Sequence, residues 1–128
     1  MKKKGMDIER YITRKLLESG FQAVRVAGSG AGTKAPRPDI IAGNRFKKYA
    51  IEVKSSIGDR IYIQNKQIRD LKEFANGFGA VPIVAIKFRY LKHIFLSLSD
   101  LDVTNNGNYS ITRKKAISFV DMGKSVLS

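Results

Sequence analysis

The chain has 128 residues, 43% of them apolar and none of them cysteine, which predicts one folded domain over residues 1–128 without disulfides, thiolate metal sites or a cysteine nucleophile. Lysine and arginine total 24 against 11 acids, a net charge of +13 that exceeds what solubility requires. Such a field calls for a polyanionic partner, above all a nucleic acid, and no apolar run approaches the roughly 20 residues of a membrane span.

MKKKG reads as the core of a basic tail over residues 1–6, with no apolar stretch behind it to make a secretory signal. Asp7 to Gly20 reads as a helix. Ile8, Tyr11, Ile12, Leu16 and Leu17 recur at helical spacing, with Asp7 as N-cap and Gly20 as stop. FQAVRVAG reads as a strand. The following GSGAGTKAPRP, residues 28–38, carries three glycines and two prolines and reads as a flexible loop. DIIAG and YAIEVKS are two short β-rich runs whose spacing predicts an antiparallel hairpin. IYIQ is a further short strand candidate. NKQIRDLKEFANGFG reads as an amphipathic helix with Ile68, Leu71, Phe74 and Ala75 inward, ended by Gly77 or Gly79. VPIVAIKF and HIFLSL read as strands, Asp100 to Asn108 as loop, and KKAISFVDMGKSVL as a short helix. The order α-β-β-β-α-β-β predicts a mixed sheet with helices packed on it.

The hairpin carries charges where a core strand wants hydrophobics. Asp39 opens one apolar run, Glu52 sits inside the next, and Lys54 follows two places on. Strand alternation puts Glu52 and Lys54 on one face, and pairing of the two runs brings Asp39 and Glu52 together. Two close carboxylates repel unless a cation lies between them, and hard oxygen ligands favour Mg²⁺, which keeps waters and contacts phosphate. An ion so held can polarise a phosphodiester, with Lys54 neutralising charge that develops on phosphorus. The alternative is a surface carboxylate, Glu52, paired with Lys54 along one strand face. Lys34, Arg37, Lys47, Lys48, Lys66, Arg69 and Lys72 read as a set of phosphate contacts, although each alone is an ordinary solvated charge. His93 is the single histidine and reads as a strand residue, because no partner stands at metal-ligand spacing. GSGAG lacks the Lys-Ser/Thr and helix that a nucleotide site needs, so no nucleotide cofactor is expected.

PD, a dozen residues, then E-x-K resembles the PD-(D/E)xK nuclease superfamily. More narrowly, KKKGMDIERYITRKLLESGFQAVRVAGSG, PDIIAG, YAIEVKSS and IYIQNKQIRDLKEFANGFGAVPIVAIKF resemble the archaeal-type Holliday junction resolvases over most of residues 2–88. The resemblance implies an α/β, restriction-endonuclease-like fold, a mixed central β-sheet flanked by helices. It implies Glu9 as a third active-site carboxylate and metal ligand beside Asp39 and Glu52, and Lys54 as the catalytic lysine. It further implies that Arg10 and Arg25 serve cleavage or phosphate contact, that Ser29 stands where such resolvases carry an active-site serine, and that an aromatic at Phe74 helps bind the junction. Glu9 in a helix's first turn, Arg25 on an exposed strand face, Ser29 between glycines and Phe74 as core are the structural alternatives.

The expected activity is resolution of four-way DNA junctions by paired, Mg²⁺-dependent cuts, with Mn²⁺ substituting, in a homodimer of cytoplasmic, nucleoid-associated location. Its interface is expected between Leu71 and Leu98. Three rival functions remain: a nuclease of the same fold acting on flaps or nicks, a non-catalytic basic DNA-binding module, and an RNA-binding protein of translation.

Overall fold

The computed structural model describes residues 2–27 and 35–127, with side chains from Asp7 onward. Ser29, Lys34 and most of the glycine-rich segment expected to be a flexible loop lie outside the described residues. The elements are α1 (Lys2–Glu18), β1 (Gln22–Arg25), β2 (Ile40–Gly43), β3 (Lys48–Ser56), β4 (Arg60–Ile63), α2 (Asn65–Phe78), β5 (Val81–Phe88), β6 (Ile94–Ser97), β7 (Asp102–Val103), β8 (Tyr109–Thr112) and α3 (Arg113–Asp121), with a 3₁₀ turn at Leu98–Asp100.

Five strands form a mixed sheet in the order β1-β2-β3-β5-β6. The first three are antiparallel neighbours, β3 and β5 run parallel, and β6 returns antiparallel to β5. The parallel pair demands a crossover, and α2 supplies it. One face of the sheet packs Tyr49, Ile51, Ile83, Ala85 and Phe95 against Ile12 and Leu16 of α1. The other packs Ala50, Val84, Ile86 and Leu96 against Ile68, Leu71 and Ala75 of α2, together with Ile61, Ile63 and Ile111 of a second, small sheet. That sheet has the order β4-β8-β7. The mixed sheet with flanking helices is the architecture expected.

Four local expectations need correction. Residues 2–5 are not a tail: α1 starts at Lys2, the helix-favouring lysines and Met6 carrying it through Gly5 despite that residue's poor helix propensity. Asp7 is therefore inside the helix, where it pairs with Arg10 at 3.1 Å instead of capping. Leu17 is 47% exposed, because Ile12 and Leu16 alone cover the buried stripe. The stretch from Asp100 to Asn108 is not all loop, since β7 pairs there with β8, a strand the sequence did not announce. Both helix stops behave as expected. Gly20 and Gly79 take φ of 95° and 82°, and the next amides, of Phe21 and Ala80, bond back to Leu16 and Ala75 at 3.0 and 2.8 Å.

Candidate active site

The β2–β3 register pairs Ile40 with Ile51, so Asp39 and Glu52 flank that pair and stand beside one another across the two strands. β2 ends here while β3 runs on to Ser56. The Val53 amide faces the edge that β2 has left, where its N–H would lack a partner. The Asp39 Oδ2 accepts that N–H at 2.8 Å. Asp39 is held on its main chain too, its N–H donating to the Ile51 carbonyl and its own carbonyl accepting from Val26, both at 2.9 Å. The aspartate is thus pinned between β1 and β3, with its carboxylate bound to the residue that separates Glu52 from Lys54.

Along β3 the side chains of Tyr49, Ile51 and Val53 go to the α1 face, and Ala50 joins the α2 core. Alternation puts Glu52 and Lys54 on that α2 side. Glu52 is largely enclosed. Burial, then the neighbouring Asp39, push its carboxyl up to about 8, with Lys54 opposing and Glu9 and Asp70 adding to the rise. Burial also raises Asp39, against the Val53 hydrogen bond and the Lys54 charge. That hydrogen bond favours ionised Asp39, so burial raises the carboxyl of Glu52 with less to oppose it.

Glu9 reaches this group from α1. Its pKa is raised by burial and by Asp39, and lowered by Arg25. Arg25, paired with Ile40 across β1 and β2, sets its Nε 3.5 Å from Glu9 Oε1. That buried Nε has no hydrogen-bond partner among the described residues, so the guanidinium retains capacity for a further acceptor. Three acids from α1, β2 and β3 thus press negative charge into one partly enclosed corner. Their oxygens are the donor set that Mg²⁺ and Mn²⁺ favour, and a cation removes the strain that their raised pKa values record. Among the described residues no three acidic or histidine side chains are spaced to ligate one ion together. The pair Asp39 and Glu52 fits an ion that keeps several waters.

The remaining expected contacts divide. Arg10 is exposed and bound to Asp7. Arg37, exposed on the same side chain-rich segment as Asp39, donates to the Ala27 carbonyl at 3.1 Å. Lys66, Arg69 and Lys72 line the exposed side of α2, Lys66 pairing with Asp70 at 2.8 Å. Lys47 and Lys48 are exposed at the β2–β3 turn, the far end of the hairpin from the acids, about 13 Å from Glu52 at the rise of a strand. Lys48 is spent locally, with its Nζ 3.2 Å from the Phe78 carbonyl and 4.9 Å from that ring's centre. Phe74 is half-buried against the α2 core and stacks on the more exposed Phe78 at 5.3 Å. His93 stands just before β6, its Nδ1 3.1 Å from the Tyr11 hydroxyl. Asp70 is the contributor that sequence reasoning missed. Its signal was an acid next to inward-facing Leu71, on the side of α2 that packs on the sheet.

The model of one family, described as archaeal Holliday junction resolvase, matches residues 1–127. A crossover junction endodeoxyribonuclease Hjc of Archaeoglobus fulgidus is 40% identical over 111 residues, covering 87% of this chain and 80% of that one. The protein of the same name from Sulfurisphaera tokodaii is 34% identical over 131 residues, covering 99% and 90%. A crossover junction endodeoxyribonuclease of Sulfolobus islandicus rod-shaped virus 1 is 35% identical over 97 residues, covering 73% and 79%. The solved structure of Archaeoglobus fulgidus Hjc, a Holliday junction resolvase, superposes with a TM-score of 0.79 at 35% identity, over 86% of this chain and 89% of that one. The chain belongs to the archaeal Holliday junction resolvase family.

Proposed function

We propose that this chain is a structure-selective endonuclease that resolves four-way DNA junctions by divalent-metal-dependent phosphodiester hydrolysis. One observation carries the reading: Asp39 and Glu52 meet across β2 and β3, with Lys54 next on the Glu52 face. Asp39 and Glu52 would hold the ion, with Glu9 as the third negative charge of the site, and Mg²⁺ is the ion proposed. When bound, such an ion polarises the phosphate and makes a water more acidic. Lys54 lies about 7 Å further along the strand from Glu52. Its ammonium neutralises the charge that builds on phosphoryl oxygens and orients the attacking water. Arg25 favours the ionised form of Glu9 and offers its remaining donors to a phosphate. Arg37, Lys66, Arg69 and Lys72 position the duplex arms without reading their sequence. Ser29 and Lys34 are proposed to join the site from the segment before Asp39.

Two symmetric cuts match a two-fold homodimer, each protomer supplying one centre. Exposed Phe78 and Val81 offer apolar surface for that pairing. A cytoplasmic, nucleoid-associated location and products with 5′-phosphate and 3′-hydroxyl ends complete the proposal.

The test mixes protein with a labelled four-way junction or a linear duplex of the same sequence, in Mg²⁺ or chelator, beside Glu52→Gln. Paired nicks in the junction alone, lost with chelator and in the variant, are expected. Equal cutting of nicked or flapped duplex would make it a different nuclease of this fold. Tight junction binding without product in any metal would make it a non-catalytic module.

A further inference from the structure

Beyond Lys54, β3 continues through Ser55 and Ser56 beside Lys87 and Phe88 of β5. An open cleft of about 470 Å³ lies at this end, lined by Ile8, Ser55, Ser56, Lys87, Arg89 and Tyr90. Ile8 immediately precedes Glu9, and Ser56 is two residues from Lys54, about 7 Å along the strand. That is about two base steps at a rise of about 3.4 Å per nucleotide. The cleft therefore lies about two base steps beyond Lys54 and about four beyond Glu52.

Tyr90 is the feature of this rim that packing does not explain. The Leu91 N–H donates to the Phe88 carbonyl at 3.1 Å, closing a four-residue turn with Arg89 and Tyr90 at its centre. Tyr90 takes a φ of 66° there, the single positive φ of a non-glycine among the described residues. This is the type II turn, whose third position is ordinarily glycine or asparagine because a Cβ is crowded there. Burial does not offset the crowding, for the ring is 83% exposed. The turn is nevertheless fixed. The Arg89 N–H donates to the Ser56 carbonyl at 3.0 Å, and Arg113 Nη2 donates to the Arg89 carbonyl at 2.6 Å. The Arg89 guanidinium lies 5.0 Å from the Tyr90 ring centre. A rigid backbone thus displays an aromatic face and a cation to solvent, in a chain of net charge +13.

We propose that Tyr90, backed by Arg89, is a stacking subsite for a DNA base splayed out near the cut phosphate. Aromatic rings accept any base by its π-face, and an adjacent arginine meets its phosphate. A base can enter only where pairing is interrupted, as at the centre of a junction. The inference rests on the nuclease reading above and deepens it.

The test places 2-aminopurine at successive positions beside the crossover of a junction and follows its fluorescence on binding in chelator. Wild type and Tyr90→Phe should alter the signal at one position two to five nucleotides from the cut. Tyr90→Gly and Tyr90→Asn accept a positive φ, so their thermal midpoints should equal or exceed that of wild type. Both should lose the position-specific signal and bind the junction roughly 5- to 100-fold more weakly. If the two variants match wild type in affinity and signal while wild type cuts junctions, the subsite is wrong and the nuclease reading stands. If wild type neither binds nor cuts a junction, both readings fall together.

Discussion

The Asp39 carboxylate accepts the Val53 N–H at 2.8 Å, so one oxygen of the aspartate has a structural task while the other remains free to face Glu52. The two tasks separate by substitution. Asp39→Asn keeps an acceptor for Val53 and removes the charge, while Asp39→Ala orphans a half-buried amide at a cost of about 1–3 kcal/mol. Both variants should lose junction cleavage. Only Asp39→Ala should melt early in denaturant titration, and equal destabilisation of both would show that the charge itself holds the fold.

Glu52 links stability to pH. Its carboxyl rises from an ordinary 4.5 to about 8 in the fold. The folded protein without metal therefore binds a proton that the unfolded chain has lost across that interval. The stability of the protonated form is complete below about pH 4.5 and is lost as pH climbs through about 8. Asp39 and Glu9 move in the same direction. His93, lowered by burial and by nearby lysines, acts in the opposite sense at acid pH. The difference between wild type and Glu52→Gln isolates the glutamate. In chelator the thermal midpoint of wild type should fall relative to Glu52→Gln as pH rises, and Mg²⁺ should restore more of it at alkaline pH. Parallel pH profiles would contradict the shift.

Arg25 is the counterion of Glu9, at 3.5 Å, with both side chains largely shielded. Arg25→Gln should raise the Glu9 pKa further, move the pH dependence of cleavage upward and cost about 1 kcal/mol of stability. Arg25→Lys keeps a charge and should recover part of the rate. Full activity of Arg25→Gln at neutral pH would remove this pair from the site.

Phosphate contact by exposed basic residues predicts a steep salt response. With five to eight phosphates engaged, the slope of log affinity against log salt should be about −5 to −7. Arg69→Ala and Lys72→Ala should each flatten it by about 1, equally on junction and duplex. A shallow slope in wild type would contradict the extended charged surface.

Much of this was legible along the chain. The apolar runs Ile40 to Ala42 and Tyr49 to Val53, joined by the short segment from Asn44 to Lys48, mark a hairpin, and the fold sets its register with Ile40 opposite Ile51. The register then brings Asp39 and Glu52 together. The period of α2 was equally clear, because Ile68, Leu71 and Ala75 must share one stripe. The start of α1 was not, since Asp7 offers a capping signal that a run of lysines overrides.

The amino-acid sequence by itself determined the local elements, the hairpin and the two acids it carries, because these follow from side-chain pattern and turn chemistry over short spans. Tertiary structure alone decided the pairing of β4 with β8, which sets Tyr62 opposite Ser110 and Arg60 within hydrogen-bond reach of that serine, 50 residues away in chain order. It also decided the influence of Asp70 on Glu52, the Glu9–Arg25 pair and the strained turn at Tyr90. Those depend on which surfaces meet when the sheet closes its two cores, and a contact across distant segments leaves no period in the chain to read.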